Sequence, residues 1–334
     1  MKPETQSRTA IAKSKAFIFA FFFVYAICLN PTARAEQSKS DKLVRVSADV
    51  TLRVIEAGSP EAQAIILVPG WCFTADIWAK QIAVLSERYH VIAFDPRSQG
   101  RSTILDHSNS PDHRAEDIAS LIKSLGLAKP VVVGWSQGVQ DVAAYALKFG
   151  TAEVGGIVLV DSPVSSGVAG MDAKVVAGVM GRMQIYVDAQ RDYLEGMLPY
   201  VFKKPLSPEE SSTIISAAMQ TPTSVGMTNL MLDLFGKDYR PSLKRFDVPT
   251  LLIVAGTAPD RNEQVQQPIE KATRVVVEGA GHAVFYDEPA KFNELLSRFL
   301  EELVTLDSGV RWNDMRFELL ARPLSVAGIG AWAR

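Results

Sequence analysis

Short apolar runs alternate with longer amphipathic segments along most of this chain. The runs predict strands buried on both faces, because they lack the polar–apolar alternation of a strand that faces water on one side. The amphipathic segments predict helices, and the regular alternation indicates an α/β protein with a mostly parallel, doubly wound sheet. An antiparallel pair, Arg45–Val50 and Thr51–Glu56, is predicted to precede it. The predicted buried strands are Ala64–Val68, His90–Phe94, Val131–Val133, Val154–Val160, Thr250–Ala255 and Arg274–Val277, and the helices are Ala75–Arg88, Pro111–Leu125, Val139–Phe149 and Pro289–Leu303.

Residues 170–235 break this alternation. They have the pattern of helices, contain many methionines and are interrupted by prolines, and no strand pattern is visible among them. We therefore predict a helical cap inserted after strand 6. Its methionines fit core packing between the cap helices, and the alternative is that some line an adaptable apolar pocket. The predicted boundaries are 36–161 and 248–304 for the two parts of the core, 162–247 for the cap and 305–334 for a C-terminal tail of unassigned role.

The first 35 residues have the pattern of a secretory signal peptide. Four basic residues precede the apolar run Ala16–Leu29, and Ala33-Arg34-Ala35 matches an A-x-A cleavage site. We expect cleavage after Ala35 and export of the mature protein to the periplasm or the medium. The alternative interpretation is an uncleaved anchor, for which the apolar run is short.

Composition narrows the expected chemistry. The chain has 334 residues, a net charge of -2 and 47% hydrophobic residues, which gives no support for a nucleic-acid partner. Cleavage would leave Cys72 as the single cysteine, so no intramolecular disulfide is expected. No His/Cys cluster has metal-ligand spacing, and we expect neither a metal nor an organic cofactor. The expected partner is a small-molecule substrate, and the oligomeric state stays open.

Ser136 is the strongest candidate for a nucleophile. It lies in Gly134-Trp135-Ser136-Gln137-Gly138, directly after a buried strand and before a helix. A G-x-S-x-G sequence at a strand-to-helix turn projects the serine from the strand tip, and the glycines allow the tight turn. The alternative, an ordinary Gly/Ser turn, does not require the flanking strand and helix.

His282 is the expected base for Ser136. It follows strand Arg274–Val277 on a glycine-containing loop, and in a parallel sheet this places it at the same carboxyl edge as the serine. A serine hydroxyl needs such a neighbouring base at neutral pH. The other histidines fit simpler roles, with His90 at an edge of the sheet and His107 and His113 solvated in a polar loop.

Two aspartates compete for the role of the acid that orients His282. Asp260 follows strand Thr250–Ala255 and gives the chain order Ser, Asp, His, so it is our preferred acid. Asp161, at the end of strand Val154–Val160, is the alternative acid, and its simpler role would be to cap a turn. Asp287 is expected to cap the helix that begins near Pro289.

Two backbone N–H groups are candidates for an oxyanion hole. Strand Ala64–Val68 ends in Pro69-Gly70-Trp71, where a glycine turn exposes the N–H of Trp71. The N–H of Gln137 follows the serine and points to the same place. Cys72 has no dedicated base in the sequence and is interpreted as a small buried residue.

Together these motifs resemble the α/β-hydrolase family in its capped, single-domain form, over roughly residues 43–303. The resemblance is closest to the esterase and cofactor-free haloperoxidase (perhydrolase) branch. Family members often have His at the position of Pro69 and Gly at that of Ser98, and their acid usually stands three residues after the strand-ending glycine, whereas Asp260 stands four after Gly256. The motifs are Pro69-Gly70-Trp71, Asp95-Pro96-Arg97-Ser98-Gln99-Gly100-Arg101-Ser102, Gly134-Trp135-Ser136-Gln137-Gly138, Asp260 and Gly281-His282.

The resemblance implies a serine hydrolase with a Ser-His-Asp triad and an acyl-enzyme intermediate, most simply a carboxylesterase for small to medium apolar esters. Family members that cleave haloalkanes or epoxides carry Asp at the nucleophile position, so Ser136 argues against both activities. Perhydrolysis, hydrolysis of lactones, amides or C–C bonds, and a non-catalytic ligand-binding role are the alternatives.

Overall fold

A single eight-stranded sheet forms the centre of the protein in the computed structural model, which describes residues 39–165, 173–258 and 269–307. The strand order is β1-β2-β4-β3-β5-β6-β7-β8. β1 is antiparallel to β2 and β2 to β4, and all other neighbours are parallel. The strands are β1 (Lys39–Arg45), β2 (Thr51–Ala57), β3 (Ala64–Val68), β4 (His90–Phe94), β5 (Val131–Trp135), β6 (Gly156–Val160), β7 (Thr250–Ala255) and β8 (Ala272–Val277).

Helices cover both faces of this sheet, so the predicted α/β class and doubly wound arrangement are confirmed. Short 3₁₀ turns lie at Ala75–Trp78 and Arg240–Arg245. The helices of the described part of the chain are α1 (Ala79–Leu85), α2 (Pro111–Ser124), α3 (Gln137–Phe149), α4 (Ala173–Asp188), α5 (Gln190–Val201), α6 (Pro208–Ala218), α7 (Thr223–Phe235), α8 (Val284–Asp287) and α9 (Pro289–Asp307).

Burial on both faces explains why the central strands are continuous apolar runs. Every residue of β3, β4, β5 and β6 is buried. Their side chains divide between two hydrophobic clusters, one on each side of the sheet. Such strands need no polar face, because helices exclude water from both sides. Because these strands are parallel, their carboxyl ends lie at one edge of the sheet, where the loops with the candidate site residues begin.

The first strand lies earlier in the chain than the sequence predicts. The prediction was Arg45–Val50, whereas β1 spans Lys39–Arg45 and residues 46–50 form the turn into β2. The hydroxyl of Ser47 accepts the N–H of Val50, which stabilises that turn. β1 is an exposed edge strand with several charged residues, so it carries no apolar run that a pattern could detect.

Four helices, α4 to α7, lie between β6 and β7, where the sequence predicts the cap. Met183 is buried, and Met197, Met219 and Met227 pack against the hydrophobic cluster on that side, which favours the core interpretation of these methionines. The last helix continues to Asp307, three residues beyond the predicted core boundary at 304.

Several sequence predictions fall outside the described residues. These are the signal peptide, Asp260 and most of the C-terminal tail. Within residues 39–165, 173–258 and 269–307, no helix has the length and hydropathy needed to cross a membrane.

Candidate active site

Ser136 occupies a strained position between β5 and α3. Its φ is 55° and its ψ is -122°, a conformation that residues with a side chain rarely adopt. The strand ends at Trp135 and the helix begins at Gln137, so the chain reverses direction within one residue. The N–H of Ser136 donates to the carbonyl of Val160 on β6, which fixes the turn to the sheet. The side chain is half-buried at the carboxyl edge.

The two glycines of the G-x-S-x-G sequence are required by close backbone approach. A Cβ on Gly138 would lie 2.6 Å from the carbonyl oxygen of Val68 and 2.8 Å from that of Pro69. A Cβ on Gly134 would lie 2.5 Å from the carbonyl oxygen of Gly138. These distances are below any tolerable carbon–oxygen contact. The glycines therefore allow α3 to begin directly against β3.

His282 joins Ser136 to an aspartate in one line of hydrogen bonds. Its Nε2 lies 2.8 Å from Oγ of Ser136, and its Nδ1 lies 2.7 Å from Oδ2 of Asp161. The imidazole is partly exposed, whereas the carboxylate of Asp161 is fully buried. The second oxygen of Asp161 accepts the N–H of Ala255 at 2.8 Å, so both carboxylate oxygens have partners. This arrangement can take a proton from the serine and stabilise the resulting imidazolium.

Asp161, the alternative acid of the sequence analysis, is thus the aspartate that contacts His282. Asp260, the preferred acid, lies outside the described residues, while both ring nitrogens of His282 have partners in the structure. Asp161 follows β6 immediately and has a left-handed backbone with φ of 49°. That backbone turns its side chain across the sheet edge toward His282, which interpretation as a turn cap did not anticipate.

The remaining histidines lie away from this line of hydrogen bonds. His90 is buried rather than an edge residue, and its Nε2 lies 2.6 Å from Oε1 of Glu56. His107 is exposed, and His113 contacts the hydroxyl of Ser110 at the start of α2. None of the contacts found for these three includes Ser136.

The loop after β3 lies directly against Ser136. A Cβ on Gly70 would be 2.9 Å from Cβ and 3.4 Å from Oγ of Ser136. The N–H of Phe73 donates to the carbonyl of Gly70 at 3.1 Å and closes a turn. In such a turn the N–H of the second residue, here Trp71, is not used by the turn's own hydrogen bond. Trp71 and Gln137, the first residue of α3, therefore bring two backbone N–H groups to the vicinity of the serine.

The segment Asp95–Ser102 supports this loop, a role that the sequence did not reveal. Buried Asp95 accepts the N–H of Ala75 at 2.7 Å, and the side-chain oxygen of Gln99 accepts the N–H of Cys72. Ser98 has a φ of 63°, which gives a physical reason why relatives often have glycine there.

Cys72 belongs to the loop after β3, and its buried side chain has the properties of a structural residue. Its thiol lies 3.7 Å from the hydroxyl of Tyr186 on α4. Burial raises the pKa of this thiol to about 12, so it stays protonated at neutral pH. This agrees with its sequence interpretation as a small buried residue.

The loop that carries His282 is held by the side chains of Asp287 and Trp135. Asp287 is buried and accepts N–H groups from Gly281 at 2.8 Å, Lys203 at 3.0 Å and Lys204 at 3.1 Å. The indole N–H of Trp135 donates to the carbonyl of His282 at 2.9 Å. Asp287 thus joins the His282 loop to the segment after α5, instead of capping the next helix as the sequence suggested.

Among the described residues, no group of three or more His, Cys, Asp or Glu side chains could hold a metal ion. The line from Ser136 through His282 to Asp161 can perform nucleophilic and acid–base chemistry.

Comparison with known proteins identifies the family to which this fold and site belong. The sequence profile of the alpha/beta hydrolase family matches residues 65–295. A non-heme haloperoxidase from Rhodococcus erythropolis is 30% identical over 203 residues, which are 55% of this chain and 70% of that protein. A bifunctional esterase/perhydrolase from Acinetobacter calcoaceticus is 34% identical over 106 residues, which are 31% of this chain and 38% of that protein.

Solved structures have a similar fold. The structure of an esterase from Exiguobacterium antarcticum matches with a TM-score of 0.72 at 20% identity, over 78% of this chain and all of that chain. With the family profile spanning most of the described core, the chain belongs to the α/β-hydrolase family, as its motifs indicated.

Asp287→Asn tests whether the Asp287 carboxylate supports the loop that carries His282. We expect a loss of about 1–3 kcal/mol of unfolding free energy, because the new amide NH₂ must face at least one of the three N–H donors. Activity per folded molecule should also fall, since His282 loses one support. Urea unfolding and the turnover of a p-nitrophenyl ester measure the two effects. Asp188→Asn, an exposed acid on α4 that pairs with Gln184, is the matched control and should change neither. Equal behaviour of the two variants would contradict the supporting role of Asp287.

Proposed function

We propose that this protein is a serine hydrolase that cleaves carboxylic esters through an acyl-enzyme intermediate. In this proposal Ser136 is the nucleophile, His282 the base and Asp161 the acid. The observation that carries it is the continuous hydrogen-bonded line from Ser136 through His282 to Asp161, with the serine at a strained strand-to-helix turn. Strained backbone at a half-buried serine is typical of a functional site.

The reaction follows from the positions of these groups. Oγ of Ser136 attacks the ester carbonyl while its proton passes to Nε2 of His282, and buried Asp161 stabilises the imidazolium. The oxyanion accepts hydrogen bonds from the N–H groups of Trp71 and Gln137. His282 then gives the proton to the leaving alcohol, and the acyl group stays on Ser136. Water, deprotonated by His282, attacks the acyl-enzyme and releases the carboxylic acid. No metal or organic cofactor takes part in these steps.

Small to medium, largely apolar esters are the proposed substrates. The side of the cap that faces the core is apolar, with Met183, Leu194 and Leu198 among its buried residues. Relatives that are named esterases support the ester class. Lactone, amide and C–C bond hydrolysis use the same serine and remain competing outcomes in a substrate panel.

Perhydrolysis is the second candidate, favoured by relatives named haloperoxidase and esterase/perhydrolase. Here hydrogen peroxide, in place of water, attacks the acyl-enzyme and gives a peracid. Assaying one p-nitrophenyl ester with and without peroxide, and measuring peracid against acid, separates the two. Acid as the dominant product at millimolar peroxide supports the hydrolase, and peracid as the dominant product supports the perhydrolase.

The proposed enzyme is exported. The support is the pattern of basic residues, apolar run and A-x-A site in residues 1–35. The mature N-terminus, read by mass spectrometry of the secreted or periplasmic protein, should be Glu36.

Ser136→Ala tests the nucleophile. We expect the turnover of a p-nitrophenyl ester series to fall by about three orders of magnitude or more, because no acyl-enzyme forms, while the fold is retained. The series should include rising acyl lengths, an amide and a lactone, with circular dichroism as the folding check. Unchanged turnover in the variant would remove Ser136 from the mechanism, and no turnover by the wild-type chain on any substrate would favour a ligand-binding protein.

A pair of matched substitutions tests the acid. Asp161→Asn should lower kcat by about 10²–10⁴-fold, because an amide cannot stabilise the imidazolium or hold the same tautomer. Asp260→Asn makes the same chemical change at the position that the sequence favoured, and its kcat should stay near that of the wild type. The reverse result, with Asp260→Asn inactive and Asp161→Asn active, would assign the role to Asp260.

A further inference from the structure

The side chain of Trp71 is held by three helices of the cap. Its indole N–H donates to the carbonyl of Gly226 on α7 at 2.8 Å. Its ring packs against Tyr186 of α4 and Tyr193 of α5, with ring centroids 4.9 and 6.1 Å apart. The residue is buried, so these contacts are shielded from water. The side chain of Trp71 therefore contacts the cap, while its backbone directly follows Gly70, which lies against Ser136.

Hydrogen bonds on both sides of Trp71 also restrict the conformation of its backbone. The turn from Gly70 to Phe73 is closed by one hydrogen bond, and the N–H of Cys72 donates to Gln99. Cys72 has a left-handed φ of 61°, which L-residues adopt at a cost. The direction of the Trp71 N–H consequently depends on where this strained turn is held, and on the cap side the turn is held by the indole of Trp71 and by the contact of the Cys72 thiol with Tyr186.

The second proposed oxyanion donor reaches the same cap helix. The side-chain amide of Gln137 donates to the carbonyl of Asn229 at 3.4 Å, three residues after Gly226 on α7. Asn229 in turn accepts a hydrogen bond from Arg114 at 3.3 Å, and Arg114 is paired with buried Asp141 of α3. One turn of α7 thus contacts both residues that carry the proposed donors.

We propose that Trp71 is a positioning residue that couples the cap to the oxyanion hole through its indole hydrogen bond to α7. This inference rests on the proposed function of the site. The cap then stabilises the transition state as well as binding the substrate, because the position of α7 determines the direction in which the Trp71 N–H points toward the developing oxyanion. Interactions that gain strength only in the transition state raise kcat and leave KM largely unchanged.

Trp71→Phe tests the coupling, since it removes the indole N–H and keeps an aromatic ring. We expect kcat on a p-nitrophenyl ester to fall about tenfold, less than the loss of a whole oxyanion donor, with KM within about twofold of the wild type. Trp78→Phe is the matched control. Trp78 is fully buried and stacks on Phe285, and its indole N–H has no hydrogen-bond partner within the described residues. It should leave kcat and KM unchanged.

An inhibitor supplies a readout that a purely structural role would not move. A trifluoromethyl ketone forms a tetrahedral oxyanion with the serine, so its Ki should rise about as much as kcat/KM falls in Trp71→Phe. If Trp71→Phe fails to fold, as judged by thermal unfolding, Tyr193→Leu replaces it, because Tyr193 is partly exposed and contacts the same indole. Its effect should be smaller and in the same direction.

Two outcomes overturn the proposal. One is that kcat in Trp71→Phe equals that in Trp78→Phe. The other is that KM rises while kcat and the ratio of the inhibitor Ki to KM stay constant. Trp71 would then contribute to substrate binding alone. Failure of the proposed function is distinguishable, because then Ser136→Ala would retain ester turnover, or the wild-type chain would show none.

Discussion

The left-handed backbone of Ser136 is the constraint on which the rest of the site depends. A residue with a side chain in this conformation costs about 1–3 kcal/mol, and it persists only where its surroundings fix it. Here β5 and α3 meet at one residue, and the hydrogen bond from Ser136 N–H to Val160 holds the turn to β6. The closeness of α3 to β3 then requires glycine at Gly134 and Gly138. The Gly70 loop also lies close to the serine, since a Cβ on Gly70 would be 3.4 Å from Oγ of Ser136.

The cap is attached at two places to the sheet edge that carries the candidate site. After α5, the backbone at Lys203 and Lys204 shares the buried carboxylate of Asp287 with the His282 loop. At α7, the carbonyl of Gly226 holds the indole of Trp71. The hydrogen bonds of Gly281 and of the Trp71 indole are buried, where leaving a donor unsatisfied is costly, and those of Lys203 and Lys204 are partly buried. The cap of this protein is accordingly fastened to the loops that carry the proposed base and one proposed oxyanion donor.

The sequence contained enough to predict the fold and the line from Ser136 to His282. Apolar runs predicted the buried strands, and the ends of parallel strands share one edge, so residues that follow them meet. The position of β1 was not predicted correctly because an exposed edge strand carries no apolar run. Two aspartates follow neighbouring strands, and strand position alone does not separate them. The left-handed backbone that aims Asp161 at His282 is visible only in the folded chain.

The contacts of Asp287 and of the Trp71 indole could not be predicted for a related reason. Each joins residues far apart in the chain, such as Trp71 and Gly226, and no periodicity or local motif encodes such a pair. An aspartate near the start of a helix has a simpler local role as a helix cap, and this is the role predicted for Asp287. A tryptophan after a glycine turn likewise carries no local sign of a distant hydrogen-bond partner. Only the placement of the cap over the sheet edge brings these partners together.

The most direct test of the proposed nucleophile is covalent labelling with a fluorophosphonate, which an activated serine attacks with loss of fluoride. Intact mass spectrometry of the wild-type chain should show one phosphonyl group per molecule, and peptide mapping should place it on Ser136. Labelling should be absent in Ser136→Ala. Reversible binding without a covalent adduct, or an adduct on another residue, would contradict the account.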